Sequence, residues 1–209
     1  MWMDFLGAGH YINFGPKGEI QSIPESVELL PLIRLRQNKQ NGQFLPSYTV
    51  DPPLTMDSDG LGPIVKANLG STWLVGNEPD VDNPSQDHTH PQWYARGYHE
   101  VYYFIKEIDP RAQIAIAGLS MMTPGRLQYL DIVWDTYKQE FGEPMPVDVW
   151  NVHNFVLREE RNSWGVDIPP GMPDDTGRLY EIADHDVLGI FRQQIIDFRR
   201  WMAGRGQQG

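Results

Sequence analysis

The sequence contains no cysteine, and this absence excludes three kinds of chemistry. Disulfide frameworks, thiolate nucleophiles and cysteine-bound zinc all require the missing residue. The sequence also lacks a run of about 18 apolar residues, so no membrane span is expected. The first residues have neither the basic start nor the long apolar stretch of a secretory signal. Both a secreted and a cytoplasmic location are compatible with the sequence.

Basic residues are scarce. The sequence has 17 lysines and arginines and 28 aspartates and glutamates, which gives a net charge of −11. Because phosphate backbones are bound by clustered positive charge, nucleic acid is not an expected partner. The 209 residues are otherwise ordinary for a globular protein, with 40% hydrophobic and 22% charged residues, and are sufficient for one domain with one core.

Apolar runs alternate with helical patterns along the chain. Five runs have the length and composition of strands: 3–14, 27–35, 72–76, 113–119 and 147–155. Four segments have the spacing or length of helices: 61–69, 91–107, 126–141 and 185–202. The polar segment 38–60 is predicted to be a long surface excursion with at most a short hairpin over 44–50. This order predicts a parallel α/β fold that forms a single domain over residues 1–209.

The most specific motif is Asn77-Glu78-Pro79, at the end of the apolar run 72–76. Proline cannot donate to a strand ladder, so Pro79 ends the strand and leaves Glu78 at its carboxyl end, where (β/α) barrels place their active sites. Glycoside hydrolysis needs two carboxyl groups, one of them protonated to act as an acid. Desolvation at the rim of an apolar barrel favours that protonated form. We therefore predict that Glu78 is an acid/base residue and that Asn77 holds a sugar hydroxyl beside it.

The later segment 147–155 has the pattern of a barrel strand whose top lines a site. Alternate positions place Asn151 and His153 on one face and Trp150 and Val152 on the other. A polar face turned inward and an apolar face turned toward helices suit such a strand. His153 and the following Asn154 are therefore predicted to lie at the same rim as the Asn-Glu-Pro motif.

These stretches carry a family resemblance. The segment 72–80 resembles the fourth strand of clan A glycoside hydrolases, in which the glutamate after asparagine is the acid/base residue. The likeness is in particular to the glycosyl hydrolase catalytic-core family, which has further stretches similar to 10–14, 29–33 and 147–153. The resemblance implies a (β/α)8 TIM barrel, a retaining glycosidase without cofactor or metal, and an oligo- or polysaccharide with β-linkages as substrate.

The family's site residues can be carried over one at a time. Glu78 would be the proton donor, Asn77 would bind the 2-hydroxyl, and His153 would lie near the nucleophile. The full set of substrate-binding candidates is Asn77, His153, Asn154, Tyr11, Asn13 and Trp73.

The resemblance also predicts that the barrel is incomplete. The family's nucleophile is a glutamate after the seventh strand, and no strand follows the last predicted helix. Only two strong strands precede the Asn-Glu strand, where the family has three, so the first lies before Met1 or a weak one lies within 44–50. We expect about strands two to six of the barrel, a nucleophile beyond residue 209, and no glycosidase turnover by residues 1–209 alone.

Two other functions remain open at this stage. A carbohydrate-binding barrel without catalysis would also lack the second carboxylate. A metal-dependent hydrolase could use the loop 80–90, because histidine with carboxylates can hold Zn²⁺ or Mn²⁺. Its candidate ligands are Asp80, Asp82, Asp87, His88 and His90. The same loop could instead be a solvated acidic segment that caps the next helix. A Rossmann site is set aside, because Gly7 and Gly9 are followed by Ile12 where the third glycine is needed.

Overall fold

The computed structural model describes residues 6–15 and 26–207. The strands are β1 (His10–Asn13), β2 (Glu28–Gln40), β3 (Gln43–Asp51), β4 (Thr72–Asn77) and β5 (Gln113–Gly118). The α-helices are α1 (Leu61–Ala67), α2 (Pro91–Ile108), α3 (Pro124–Phe141) and α4 (Leu188–Gly204), and a 3-10 turn spans Ile182–Asp184. The predicted α/β class is confirmed. None of the helices in the described ranges is long and apolar enough to cross a membrane.

The sheet has the order β1-β2-β4-β5, and these four strands are parallel. β2 pairs directly with β4, where Leu32 lies beside Leu74, and β4 pairs with β5, where Leu74 lies beside Ala115. Strand–helix–strand connections of this kind require a long crossover, which α2 supplies between β4 and β5. The carboxyl ends of β4 and β5 therefore meet at one edge, where the candidate site lies.

The two faces of the sheet bury different residues. Ile33, Trp73 and Val75 point toward the helices and belong to the main core. Leu32 and Leu74, at the alternate positions, form a small second cluster with Ala115 on the opposite face. This period of two is the ordinary alternation of a strand. Trp73 is completely buried under the helices, so the prediction that it lines a substrate pocket is wrong.

The segment 44–50 does not hold a missing parallel strand. β2 continues to Gln40, turns at Asn41-Gly42 and returns as β3, which pairs with β2 in the antiparallel direction. Both turn residues have positive φ, 52° and 79°, which is the conformation of a two-residue hairpin turn and which asparagine and glycine adopt most easily. The hairpin is longer than predicted because the Asn-Gly turn couples both strands.

The predicted strand 147–155 runs beside β5 but is irregular. It makes only isolated parallel bridges, from Val149 to Ala115 and from Val152 to Leu119. The N–H of His153 donates to the carbonyl of Leu119 at 2.9 Å, which keeps the segment in register. The predicted alternation is confirmed, because Val149 packs on the second cluster while Trp150 and Val152 pack on the main core.

A tyrosine bridges β4 and β5 where their ladder is interrupted. Gly76 has φ of 96°, and its position is skipped in the pairing of the two strands. The hydroxyl of Tyr94, on α2, donates to the carbonyl of Val75 at 2.8 Å and accepts from the N–H of Ala117 at 2.8 Å. Burial raises the pKa of Tyr94, so the hydroxyl keeps its proton and can serve both strands.

Replacement of Tyr94 by phenylalanine is expected to lower the free energy of unfolding by about 1–3 kcal/mol, because a buried N–H and a buried carbonyl lose their partner. Urea unfolding would measure the change. Tyr102→Phe, which removes a half-buried hydroxyl from the same helix, is the matched control and should change the value by about 0.5 kcal/mol or less. Equal losses in the two variants would contradict the bridging role.

Candidate active site

Glu78 follows β4 directly and is held in a strained conformation. Its φ is 44°, in the left-handed region that non-glycine residues avoid, and the residue is buried. Its N–H donates to the carbonyl of Gly118 at 3.1 Å, so its backbone stays attached to β5. Strain of this kind costs about 1–3 kcal/mol and persists only where surrounding contacts impose it, often at functional sites.

The partner of the Glu78 carboxyl is His153, 75 positions later in the chain. Nδ1 of the imidazole lies 2.6 Å from Oε1 of Glu78, with the Glu78 side chain 9% and the His153 side chain 26% exposed. The structure thus brings together two residues that the sequence pattern placed on separate strand ends. The pair can share one proton, with either the acid O–H or the imidazole N–H as donor.

Gly118, at the end of β5, makes room for this contact. A Cβ atom at this position would lie 2.5 and 2.6 Å from Cδ2 and Nε2 of the His153 ring, and 3.0 Å from Nδ2 of Asn151. Real Cβ atoms do not approach other atoms so closely. The hydrogen bond between Glu78 and His153 therefore depends on glycine at position 118.

Replacement of Gly118 by alanine is expected to displace the His153 ring from Glu78. NMR of the histidine side chains can detect this, because in the native chain Glu78→Gln should shift the His153 signals. In the Gly118→Ala background the same Glu78 change should leave them unmoved. Gly125→Ala, at a glycine with open space around it, should preserve the native response. Persistence of the native response in Gly118→Ala would contradict the steric role.

Asn77 is built into the loop that follows it. Its N–H donates to Oδ2 of Asp87 at 2.8 Å, and its side-chain amide donates to the side chain of Gln86. Asn77 is buried and adjacent to Glu78. Its contact with a sugar hydroxyl stays a prediction, and the structure adds that loop 80–90 fixes its position.

The two buried carboxylates of loop 80–90, Asp80 and Asp87, accept hydrogen bonds from other groups of the protein. Asp87 accepts from Nε of Arg34 at 2.5 Å and from the N–H groups of Leu35 and Asn77 at 3.0 and 2.8 Å. Asp80 accepts from the hydroxyl of Ser120 at 2.6 Å and is bound by a buried arginine. Asp80 and Asp87 therefore occur close together in the sequence because both connect the end of β4 to neighbouring segments by hydrogen bonds.

The metal alternative gains no support from the rest of this loop. Asp82 pairs with Lys39, and the ring of His90 packs on Phe44 with 4.4 Å between centroids, while burial lowers the pKa of His90. Nδ1 of His88 lies 3.0 Å from the carbonyl of Gln86. Within residues 6–15 and 26–207, no three histidine or acidic side chains are grouped to hold an ion.

Arg126 is a buried residue near the rim whose contacts the sequence patterns do not predict. The side chain is completely buried, and Nε lies 2.6 Å from Oδ2 of Asp80 while another guanidinium nitrogen binds Glu159. Glu159 also accepts from the hydroxyl of Thr123 at 2.6 Å and from the N–H of Arg178 at 2.7 Å. In the sequence Arg126 marks only the start of a predicted helix, and nothing there indicates its two distant partners.

Glu78 differs from the other buried carboxylates in having a histidine rather than an arginine or backbone amides as its partner. The others in the described ranges are Asp80, Asp87, Asp109 and Glu159. Asp109 lies at the opposite end of the sheet, accepts from the N–H groups of Gly70 and Arg111, and has a lowered pKa for that reason. Among the buried carboxyls of the described ranges, Glu78 is thus the one whose partner is an imidazole, which can both donate and accept a hydrogen bond.

Two cavities of about 440 and 340 Å³ adjoin the start of α3, and both are lined by Pro124 and Arg178. Neither is lined by Glu78 or His153. The larger cavity is lined by two acidic residues, Asp174 and Glu159, and the carboxyl of Glu159 is bound by Arg126. The candidate pair Glu78–His153 therefore lies outside both of these cavities.

Tyr11 and Asn13 are not brought to this rim. Asn13 pairs with Pro31, and the register between β2 and β4 places Pro31 level with Trp73, four residues before Asn77. At about 3.3 Å per residue, Asn13 lies roughly 13 Å short of the rim along the strand direction. Its side chain accepts from the N–H of Gly15 at 3.1 Å. The register thus places both residues before the rim along the strand direction, and their contact with substrate stays a prediction.

Asn154 has a supporting position. Its φ is 60°, it is buried, and its amide donates to the carbonyl of Phe191 in α4 at 3.1 Å. Oδ1 is buried and has no hydrogen-bond partner in the described part of the chain. The side chain therefore anchors α4 beside His153, and its contact with substrate stays a prediction.

Comparison of the chain with protein-family models, with curated proteins and with solved structures finds no match.

Proposed function

We propose that this chain carries the acid/base residue of a retaining glycoside hydrolase of clan A type, on part of a TIM barrel. The single observation that carries the proposal is the pair Glu78–His153, in which a buried carboxyl at the end of one parallel strand is hydrogen-bonded to an imidazole beside the next. Active sites of parallel barrels lie at this end of the strands.

The geometry supports a definite division of roles. Glu78, in its protonated form, donates to the glycosidic oxygen as the bond to the anomeric carbon breaks, and afterwards removes a proton from the attacking water. His153 is a positioning residue that holds the carboxyl by one hydrogen bond. The substrate class is an oligo- or polysaccharide with β-linkages.

The second carboxylate of the reaction must come from another part of the site. Retention requires it about 5–5.5 Å from Glu78. Every other buried carboxylate in the described ranges is held by an arginine or by backbone N–H groups. We propose that the nucleophile is a residue outside the described part of this chain.

Because the other buried carboxylates are already bound by protein groups, none of them is free to act as the second catalytic carboxylate in the described ranges. This observation favours one second candidate, a carbohydrate-binding protein without catalysis. Such a protein would use the rim around Asn77 and His153 for sugar hydroxyls and would perform no proton transfer. Both candidates predict sugar binding at the rim, and only the first predicts that the acid form of Glu78 matters for a reaction.

Binding at the rim can be tested by NMR on the 209-residue chain. Titration with β-linked tetrasaccharides of glucose, xylose and mannose is expected to shift the His153 side-chain signals in at least one case. His99 serves as the internal reference, because its ring is stacked 3.6 Å from Phe141 between α2 and α3. Absence of any His153 shift across the panel, or equal shifts at His99, would contradict both candidate functions.

A further inference from the structure

An exposed aromatic ring stands beside the candidate acid. Phe155 is two residues after His153, and the two ring centroids are 5.9 Å apart with the rings nearly perpendicular, at 76°. The Phe155 residue is 48% exposed, although it is large and apolar. Because His153 contacts Glu78, the ring lies one side chain away from the carboxyl.

The backbone of Phe155 is fixed on both sides. Its N–H donates to the carbonyl of Ser120 at 2.8 Å, and its carbonyl accepts from Nε2 of Gln194 at 2.8 Å. Gln194 is itself buried and accepts from the N–H of Met122 at 2.7 Å. The segment directly after β5 and helix α4 thus hold the position together, and Asn154 adds its bond to α4 from the preceding residue.

These two backbone hydrogen bonds distinguish Phe155 from an ordinary exposed apolar residue. Single hydrophobic residues on a surface are common and need no function. A ring whose backbone is anchored by two neighbouring segments retains only its side-chain rotations, so contact with a ligand needs no ordering of the backbone. An anchored, exposed ring next to an acid/base pair is suited to recognise the flat face of a substrate.

We propose that Phe155 is the platform on which a pyranose ring of the substrate stacks, next to the sugar whose bond Glu78 cleaves. This inference rests on the proposed function and narrows its substrate class to glycans of at least two units whose rings carry equatorial hydroxyls, as in β-linked glucans and xylans. Equatorial hydroxyls leave C–H groups on both ring faces, and such an apolar face fits an aromatic ring.

The test compares oligosaccharide affinities of Phe155 variants by NMR titration. Phe155→Ala and Phe155→Leu should weaken binding of the tetrasaccharide that shifts His153 by about 2- to 12-fold, because aromatic contacts are worth about 0.5–1.5 kcal/mol. Phe155→Trp should retain the affinity. Tyr103→Ala removes a similarly exposed aromatic from the outer face of α2 and should leave the affinity unchanged. The leucine variant keeps the apolar volume, so it separates loss of the planar ring from loss of folding.

The outcomes separate the two proposals. Native affinity in both the alanine and leucine variants, with the His153 shift still present, overturns the platform and leaves the proposed function standing. Absence of a His153 shift in the native chain overturns the proposed function and the platform with it. Preference for a mannose-based tetrasaccharide, whose axial hydroxyl roughens one face, over glucose- and xylose-based ones also overturns the substrate class inferred from the ring.

Discussion

Replacement of Arg126 by methionine is expected to lower the free energy of unfolding by about 3–5 kcal/mol, the largest effect of a single change away from the reacting groups. Arg126 is completely buried between Asp80 and Glu159, both also buried. The variant would leave two carboxylates in the interior without their cation, and the desolvation cost of each would no longer be offset. Urea unfolding followed by far-UV circular dichroism measures the change.

Arg96→Met provides the matched control for this measurement. Arg96 makes a two-pronged contact with Glu140 through Nε and a terminal nitrogen, but the side chains of the pair are 37% and 30% exposed. Exposed pairs contribute about 1 kcal/mol or less. A loss in Arg126→Met no greater than that in Arg96→Met would show that the buried cluster is not the anchor of the rim.

Replacement of Glu78 by glutamine should slow sugar release by about 10²–10⁴-fold in a reaction that supplies the missing nucleophile from solution. Azide can take the place of the second carboxylate. It attacks the anomeric carbon of a methylumbelliferyl β-glycoside, the bond to the aglycone oxygen breaks, and Glu78 gives its proton to that oxygen. The products are a glycosyl azide and methylumbelliferone, whose fluorescence gives the rate. Glutamine cannot donate in this way.

The control for that experiment is the same glutamate-to-glutamine substitution at a position for which no catalytic role is proposed. Glu107 is exposed near the end of α2, and Glu107→Gln should leave the azide-dependent rate unchanged. Without azide we expect no release by any of the three proteins. An azide-dependent rate that is the same in the native chain and in Glu78→Gln would favour the carbohydrate-binding alternative.

Local patterns of the sequence predicted a large part of this arrangement. The strand end at Asn77 follows from Pro79, which has no N–H for the ladder. The faces of Trp150 and His153 follow from the two-residue period of extended chain. Each of these inferences needs only neighbours along the chain, and for that reason each agrees with the structure.

Register and long-range contacts account for what the sequence did not predict. The length of β1 decides whether Asn13 reaches the rim, and the direction in which β4 faces decides that Trp73 is buried. The partners of Arg126 lie 46 and 33 positions away. The antiparallel return of β3 does have a local signal, since Asn-Gly at positions 41 and 42 is a strong hairpin turn.

The acid role of Glu78 is tested most directly by comparing two leaving groups in the azide-dependent reaction. Methylumbelliferone is the poorer leaving group of the two and leaves faster when its oxygen receives a proton, whereas dinitrophenolate leaves without one. If Glu78 is the acid, Glu78→Gln should lower the azide-dependent rate about 10²–10⁴-fold with the methylumbelliferyl glycoside. The same change should lower the rate with the dinitrophenyl glycoside only slightly. Equal losses with both substrates, or no loss with either, would contradict an acid at position 78.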